Sequence, residues 1–255
     1  MNESISRWNK TEPFGVQVAR GQVRGHRIVH VFGYNSDIDS GAEETVWSAG
    51  GLYPHITTPV QMYVSSTSAN DTAAGTGLRT LRIDGITTGN AEVSETITLN
   101  GQTGVLTSNV YTSIQYMDGL TAGASEKNAG DIYVGTGTIT AGVPATAFGQ
   151  ILAGQNQSLM GYYTVPAGYS GYLLAGSISS GTPSNGYVIG RLKVRNGTNL
   201  VKTAAIVTFA DGRREYEFNY PVYIHEGSHV QATAETTKND EKISCYLQLL
   251  LIKNE

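Results

Sequence analysis

The stretch LRTLRIDGITTGNAEVSETITLNG, residues 78–101, decides the fold class of this chain. From Val93 to Leu99 the larger side chains alternate with Ser or Thr, which is the two-residue period of a β-strand. Leu78–Ile86 alternates in a similar way. Asn100–Gly101 follows the second run, and this dipeptide strongly favours a β-hairpin turn. The stretch therefore predicts short strands that end in a hairpin turn.

The rest of the chain repeats this pattern over its 255 residues. Turn signals recur roughly every 8–12 residues and no long 3.6-residue period interrupts them, which is typical of sandwiches and barrels. The 31 glycines and the low charged fraction of 15% favour strands and tight turns over helices. The sequence predicts an all-β fold, an antiparallel β-sandwich of the jelly-roll or immunoglobulin-like type.

Composition divides the chain into three predicted regions. The stretch 141–157 is rich in Gly, Ala, Gln and Pro, which favours a boundary there. We therefore expect an N-terminal β domain over residues 25–150 and a C-terminal β-sandwich domain over residues 151–255. A single sandwich in which the first half supplies one sheet is the alternative. Residues 1–24 show no clean period and are predicted to form an extended N-terminal arm.

Charge and hydropathy argue against several classes of partner. The net charge is −4 and no dense cluster of Lys and Arg is present, so we expect no nucleic-acid partner. No window approaches the roughly 18 apolar residues of a transmembrane helix, so we expect no membrane partner. Met1–Lys10 is polar and lacks the core of a signal peptide, so assembly in the cytoplasm is expected. The single cysteine, Cys245, is expected to be a small buried core residue.

One motif matches the H-E-x-x-H pattern of zinc proteases, at His225-Glu226-Gly227-Ser228-His229. That chemistry needs a helix, because a helix places both histidines on one metal with the glutamate as base. Strand-like runs flank the motif here, and Gly227–Ser228 has the composition of a turn. No third ligand follows at the usual distance. The motif is therefore interpreted as a hairpin and not as a zinc site.

The other groupings of ionisable residues are weaker. His26 and His30 would lie about 13 Å apart along a strand, too far to share a metal. Asp37 and Asp39 match only part of a calcium loop. His55 is expected to be a packing or interface residue. We predict no catalytic, cofactor-binding or metal-binding residues, while a pair of carboxylates brought together by the fold, as in a glycoside hydrolase, stays an alternative.

Tyrosine is unusually frequent, with 15 residues against 5 Phe and 2 Trp. Its side chain is amphipathic and enriched at protein interfaces. The tyrosines either cover sheet faces and turn corners or form a contact between subunits. Two clusters occur in the second half: Tyr162, Tyr163, Tyr169 and Tyr172, and then Tyr216, Tyr220 and Tyr223.

Several segments resemble structural proteins of marine tailed bacteriophages. They are residues 73–85, residues 92–101, Asn128-Ala129-Gly130-Asp131-Ile132 and residues 157–168. With the stretch from Gly25 to Trp47, the resemblance extends over roughly residues 25–174, and beyond that it is one of style. The shared residues belong to turns and strands, so the resemblance bears on kinship and fold and transfers no catalytic site.

The resemblance implies a non-enzymatic virion structural protein, most specifically a capsid decoration or cement protein on the capsid surface. Its expected partners are the major capsid protein and further copies of the chain, arranged as a trimer. No cofactor is expected. The alternative is a tail, neck or head-fibre component with a receptor- or glycan-binding role. The candidate capsid contacts lie in the predicted arm: Arg7, Trp8, Phe14, Arg20 and Arg24.

Overall fold

The computed structural model describes residues 12–181, 186–196, 200–210 and 212–255. Within them a short helix precedes sixteen strands, and a 3-10 turn at Thr88–Asn90 follows the fourth strand. The bounds are α1 Phe14–Ala19, β1 His26–Ile38, β2 Glu43–Thr45, β3 Tyr63–Ser66, β4 Leu78–Ile86, β5 Glu92–Thr98, β6 Val105–Leu106, β7 Ser113–Ala122, β8 Ile132–Thr140, β9 Val143–Ile151, β10 Tyr162–Thr164, β11 Tyr169–Ser180, β12 Val188–Arg195, β13 Val201–Phe209, β14 Gly212–Ile224, β15 His229–Thr236 and β16 Glu241–Lys253.

These strands form four sheets, and the ladders that join them are antiparallel. The predicted all-β, antiparallel fold is confirmed. The strand orders are β1-β16-β11-β14, β10-β15-β12-β13 with β2 also on β15, β6-β3-β8-β9, and β5-β4-β7.

Two of the sheets, β1-β16-β11-β14 and β10-β15-β12-β13, form what we call the terminal sheet pair. Pairing of β1 with β16 runs without a break from His26↔Ile252 to Asn35↔Ile243. Val31 and Leu249 of the first sheet share a buried cluster with Leu192 of the second. A second cluster joins the same two sheets around Cys245, which is buried as expected. The two sheets therefore face each other across a common apolar core.

The other two sheets, β6-β3-β8-β9 and β5-β4-β7, form the central sheet pair. Every second side chain of their strands points into one core, so the two-residue period of the sequence accounts for the way in which these sheets pack. The buried residues of this core are Met62, Val64, Leu78, Leu81, Ile83, Ile97, Leu99, Tyr111, Ile114, Met117, Ile132, Val134, Phe148 and Ile151.

Strand pairing crosses the predicted division at residue 150. β1 and β2 lie before it in sequence but pair with β16 and β15, which lie after it. The stretch 141–157, where a domain boundary was expected, contains β9, which pairs with β8. Its small residues serve the tight turn at Ala141–Gly142, where both residues have positive φ. Whether residues 25–150 and 151–255 fold as separate units stays a prediction.

Part of the predicted extended arm is helical instead. Residues 14–19 form α1, and the carbonyl of Pro13 accepts hydrogen bonds from the amides of Val16 and Gln17. Val18 is buried, and the helix contacts β1. A proline at the start of a helix is favourable because its missing N–H needs no partner there. A scan for period alone misses a helix this short.

The predicted hairpin at Asn100–Gly101 is wrong in its pairing. The turn itself forms, since Gly101 has φ 58° and the amide of Thr103 donates to the carbonyl of Asn100. However, β5 pairs with the preceding β4, and β6 pairs with β3. A turn dipeptide sets a local change of direction, whereas the choice of partner strand is made by packing in the core.

A buried carboxylate, Asp71, ties the loops of the central sheet pair together. Its side chain accepts hydrogen bonds from the amides of Leu78 (2.7 Å), Ala129 (2.8 Å) and Gly130 (2.9 Å). The hydroxyl of Ser66 donates to the same carboxylate at 2.6 Å. A fully buried charge is tolerated only when hydrogen bonds replace its lost hydration, and four do so here.

We predict that Asp71→Asn lowers the free energy of unfolding by about 2–4 kcal/mol, because an amide NH₂ group must then face backbone N–H donors in either orientation. Urea unfolding followed by circular dichroism measures this. Asp39→Asn, at an exposed position, is the matched control. An unchanged urea midpoint for Asp71→Asn would show that the carboxylate does not hold these loops.

Candidate functional site

A cleft of about 680 Å³ lies between β1 and the outer face of sheet β5-β4-β7. The β1 wall is continuous from Arg27 to Phe32. The opposite wall follows from strand register, because Asp84 of β4 stands opposite Ser94 of β5 and Tyr116 of β7. These three side chains therefore form one row across the sheet.

The cleft brings together the kind of groups that the hydrolase alternative requires, Asp84 and Glu92 beside tyrosines. Each carboxylate has an arginine partner: Arg82 lies 3.2 Å from Asp84, and Arg27 lies 2.7 Å from Glu92. A glycosidase needs one carboxyl group that stays protonated, in an apolar environment. Both carboxylates are partly exposed and lie beside a guanidinium, which is not the apolar environment that this chemistry needs.

The Arg27–Glu92 ion pair joins the two sheet pairs. Burial acts to lower the pKa of Arg27, but its hydrogen bond to Glu92 and the neighbouring negative charge outweigh this, and the net pKa is raised. The guanidinium also lies 5.0 Å from the centre of the Tyr169 ring. Both partners are partly exposed, so the pair is worth little in isolation and its role is to orient β1 towards β5.

A cluster of stacked rings lies behind the cleft. The rings of Tyr53 and Tyr162 stack with centroids 4.1 Å apart, and His229 stacks on Tyr162 at 5.5 Å. The ring of His55 lies 5.6 Å from that of His229. Nδ1 of His229 is 2.6 Å from the Tyr162 hydroxyl and 2.7 Å from Oγ1 of Thr164. Residues from three separate parts of the chain thus meet in one cluster.

Burial shifts the acid–base behaviour of this cluster. It lowers the pKa of His55 to about 4, helped by the charge of Arg195. It lowers the pKa of His229 to about 4 as well, and there His55 and Arg195 add to the effect. Burial raises the pKa of Tyr162 to about 12. At neutral pH the cluster is therefore uncharged, in keeping with its apolar surroundings.

The H-E-x-x-H motif lies in a turn, as expected, but the predicted hairpin is wrong. β14 pairs with β11, whereas β15 pairs with β10, β12 and β2, so the turn joins two different sheets. β14 ends at Ile224 and β15 begins at His229, with a turn between them. His229 points into the ring cluster, whereas His225 is exposed and packs edge-on against Tyr223. The helix that a protease site needs is not formed at this motif.

Three exposed carboxylates, those of Asp37, Asp39 and Asp240, lie within 4.8 Å of one another. Local desolvation and the neighbouring charges raise the pKa of Asp37. Three oxygens are fewer than the six to eight that calcium takes, so water would have to supply the rest. No other group of three or more His, Cys, Asp or Glu converges in the part of the chain that the structure describes.

The two groups of tyrosines have different environments. Tyr163 is buried in a core of the terminal sheet pair, and Tyr162 is buried in the ring cluster beside Tyr53. By contrast with these two buried tyrosines, Tyr216, Tyr220 and Tyr223 are exposed on β14, with Tyr220 91% accessible. β13 and β14 follow one another, and each is the outermost strand of its sheet in the described residues. We call these two strands the β13–β14 ribbon.

The predicted capsid-contact residues fall at the start of the chain. Arg7 and Trp8 lie outside the described residues. Phe14 is exposed on α1, and its ring packs edge-on against His26 at 6.0 Å. Arg20 forms an ion pair with Glu12 at 2.5 Å, and Arg24 is exposed just before β1. Contact of these residues with a capsid stays a prediction.

Comparison with known proteins gives no relative. No family model matches the chain, and no curated protein matches it. Among solved structures, the VP2 subviral particle of infectious bursal disease virus is 9% identical with a TM-score of 0.21, covering 91% of this chain and 73% of that one. The Gt strain of the same virus gives 8% identity and a TM-score of 0.18, covering 95% and 81%. TM-scores this low do not show a shared fold.

No helix in the described ranges is long and apolar enough to span a membrane.

We predict that the folded protein loses stability as the pH falls from about 6.5 towards 4. Above 6.5 both His55 and His229 are neutral in the folded and unfolded chains; below it only the unfolded chain takes up protons, because the folded pKa values are lowered to about 4. The slope approaches about 1.4 kcal/mol per pH unit for each histidine. Urea midpoints between pH 7.5 and 5 measure it.

The variants His55→Gln and His229→Gln should each flatten this pH dependence by one histidine's share. His225→Gln, at the exposed end of the turn between β14 and β15, is the control. A dependence that survives in the double variant would assign acid sensitivity to other groups.

Proposed function

We propose that the chain is a non-enzymatic structural protein of a virion, and that it decorates the capsid by binding the major capsid protein shell. The observation that carries this proposal is the β13–β14 ribbon, whose outer strand edges have no partner strand among the described residues and which carries exposed apolar side chains. Soluble monomers usually shield such edges, so a long exposed edge with large apolar residues marks a surface for another protein.

The ribbon supports this role through its residues. Ile206 is 61% exposed, and Tyr216 and Tyr220 extend the apolar surface along β14. Between the two strands a cavity of about 70 Å³ opens onto the core of the terminal sheet pair, lined among others by Leu192 and Phe218. A partner that covers the ribbon would extend this core across an interface, as obligate assemblies do.

The cleft supports the non-enzymatic part of the proposal. Its carboxylates are held in ion pairs with arginines. The hydroxyl–histidine pair behind it, Thr164 with His229, involves a hydroxyl residue that is fully buried and therefore closed to a substrate. The phage-like segments at residues 73–85 and 92–101 form regular strands and turns of the central sheet pair. The proposal therefore treats both sheet pairs as jelly-roll or immunoglobulin-like sandwich modules whose work is contact.

The proposed assembly is a trimer seated on the capsid surface. Two edge strands per copy provide both a contact between copies and a contact to the shell, and added strands are a common mode of such contacts. A tail, neck or head-fibre position is the alternative, and it would use the same surfaces at far lower copy number.

Quantitative mass spectrometry of purified virions tests the proposal. We expect a copy number comparable to that of the major capsid protein, or one trimer for each local three-fold position. A handful of copies per particle would place the protein at the neck or tail, and absence from particles would refute a virion role.

Variants in the β13–β14 ribbon test whether this surface makes the contact. We predict that Ile206→Asp and Tyr220→Asp weaken binding to isolated capsid shells at least tenfold, because a carboxylate must be desolvated in the interface. Both positions are exposed, so the monomer should stay folded. Leu120→Asp, an exposed apolar position on β7, is the control. Full occupancy by both ribbon variants would exclude the ribbon as the contact.

A further inference from the structure

A second exposed aromatic surface lies on the sheet β1-β16-β11-β14, towards the edge opposite β14. His30 and Phe32 of β1 and Tyr246 of β16 project from the outer face of sheet β1-β16-β11-β14, and we call them the aromatic platform. Phe32 is 51% exposed in the middle of its strand. It contributes to neither core, so burial on folding does not explain its presence on this face.

The platform is held in a fixed arrangement. Phe32 and Tyr246 are register partners, and their ring centroids lie 5.2 Å apart. The ring of His30 is tilted by only 17° from that of Tyr246 and by 18° from that of Phe32. Nδ1 of His30 lies 2.7 Å from the Tyr246 hydroxyl, which fixes both rings. A ligand therefore meets a preformed surface and has little side-chain motion to restrict.

Three hollows converge on this platform. Phe32 lines the 680 Å³ cleft, a neighbouring hollow of about 440 Å³ and a third of about 480 Å³. Tyr246 lines the latter two, and Gln157 lines the cleft and the 440 Å³ hollow. The exposed rings thus lie where the three hollows meet, so a ligand made of several linked units can contact them together.

Hydroxyl, amide and guanidinium groups surround the rings. Ser177 of β11 is the register partner of Tyr246, and the hydroxyls of Ser179 and Ser244 lie 2.7 Å apart. Nη2 of Arg213 donates to Ser177 at 3.4 Å. Serine hydroxyls both donate and accept hydrogen bonds, and a guanidinium adds donors. Such groups match a ligand that carries many hydroxyls.

The geometry points to a neutral oligosaccharide as the ligand of the aromatic platform. A sugar ring presents a face of C–H bonds that stacks on the electron-rich face of an aromatic ring, and its hydroxyls require donors and acceptors around it. Arg213 forms an ion pair with Glu215 at 2.5 Å, which leaves little free positive charge for a phosphate-bearing ligand. The inference does not rest on the capsid role.

Saturation-transfer NMR and calorimetry with hexasaccharides of glucose, galactose, mannose and N-acetylglucosamine test this inference. We expect at least one of the four to bind the full chain with a millimolar or lower dissociation constant. Phe32→Ala should weaken that binding at least tenfold, while Phe32→Trp keeps it. Failure of all four hexasaccharides to bind at 10 mM overturns the inference.

A second variant and a control keep the test decisive. His30→Ala removes another exposed ring and should also weaken binding, so a folding defect of one variant leaves the other to decide. Tyr187→Ala, at an exposed tyrosine outside both the platform and the ribbon, should bind like the unaltered chain. Binding that survives both platform variants places the sugar elsewhere and refutes the site. Loss of capsid binding in ribbon variants that still bind sugar would separate the two functions.

Discussion

The pairing of β1 with β16 is the constraint on which the rest of the structure depends. It joins residues 26–38 to residues 241–253 in one sheet. The chain between them must therefore leave from β1 and come back beside it. At Gly33 the contact is so close that a Cβ atom would lie 2.2 Å from the carbonyl oxygen of Val46 and 2.6 Å from Sγ of Cys245. The same pairing leaves the far edge of β1 facing the cleft and presents Phe32 beside Tyr246. Core, cleft and platform are thus consequences of one long-range ladder.

The local features of this fold follow from the sequence, whereas its assembly does not. Alternation identifies β4 and β5 because successive side chains of a strand point to opposite faces of the sheet, so the sequence itself records the strand. The partner of β6 and the strand nature of 143–151 escape such reasoning, since they are decided by a core drawn from many segments. The candidate sites are harder still: His30 and Tyr246 are 216 residues apart, and His229 meets Tyr162 across 67 residues. Isolated histidines and one tyrosine among fifteen carry no local signal of such meetings.

The proposed contacts make different uses of one sheet. In the order β1-β16-β11-β14 the platform lies on the first two strands, and β14, one strand of the β13–β14 ribbon, forms the opposite edge. Between them are serine-rich positions of β11 and β16, whose small side chains leave the outer face open. A protein that is anchored through one edge can therefore still present the other side to a ligand.

The ladder between the first and last strands also has a consequence for biosynthesis. β1 leaves the ribosome about two hundred residues before β16 and, at roughly 5–20 residues per second, waits about 10–40 s for its partner. During that interval the strands of the central sheet pair have all been made and can fold against one another. β1, with Val31 and Phe32 unpaired, stays available to any other strand edge in the cell. Slow translation or a high local density of nascent chains should therefore favour exchange of β1 between copies.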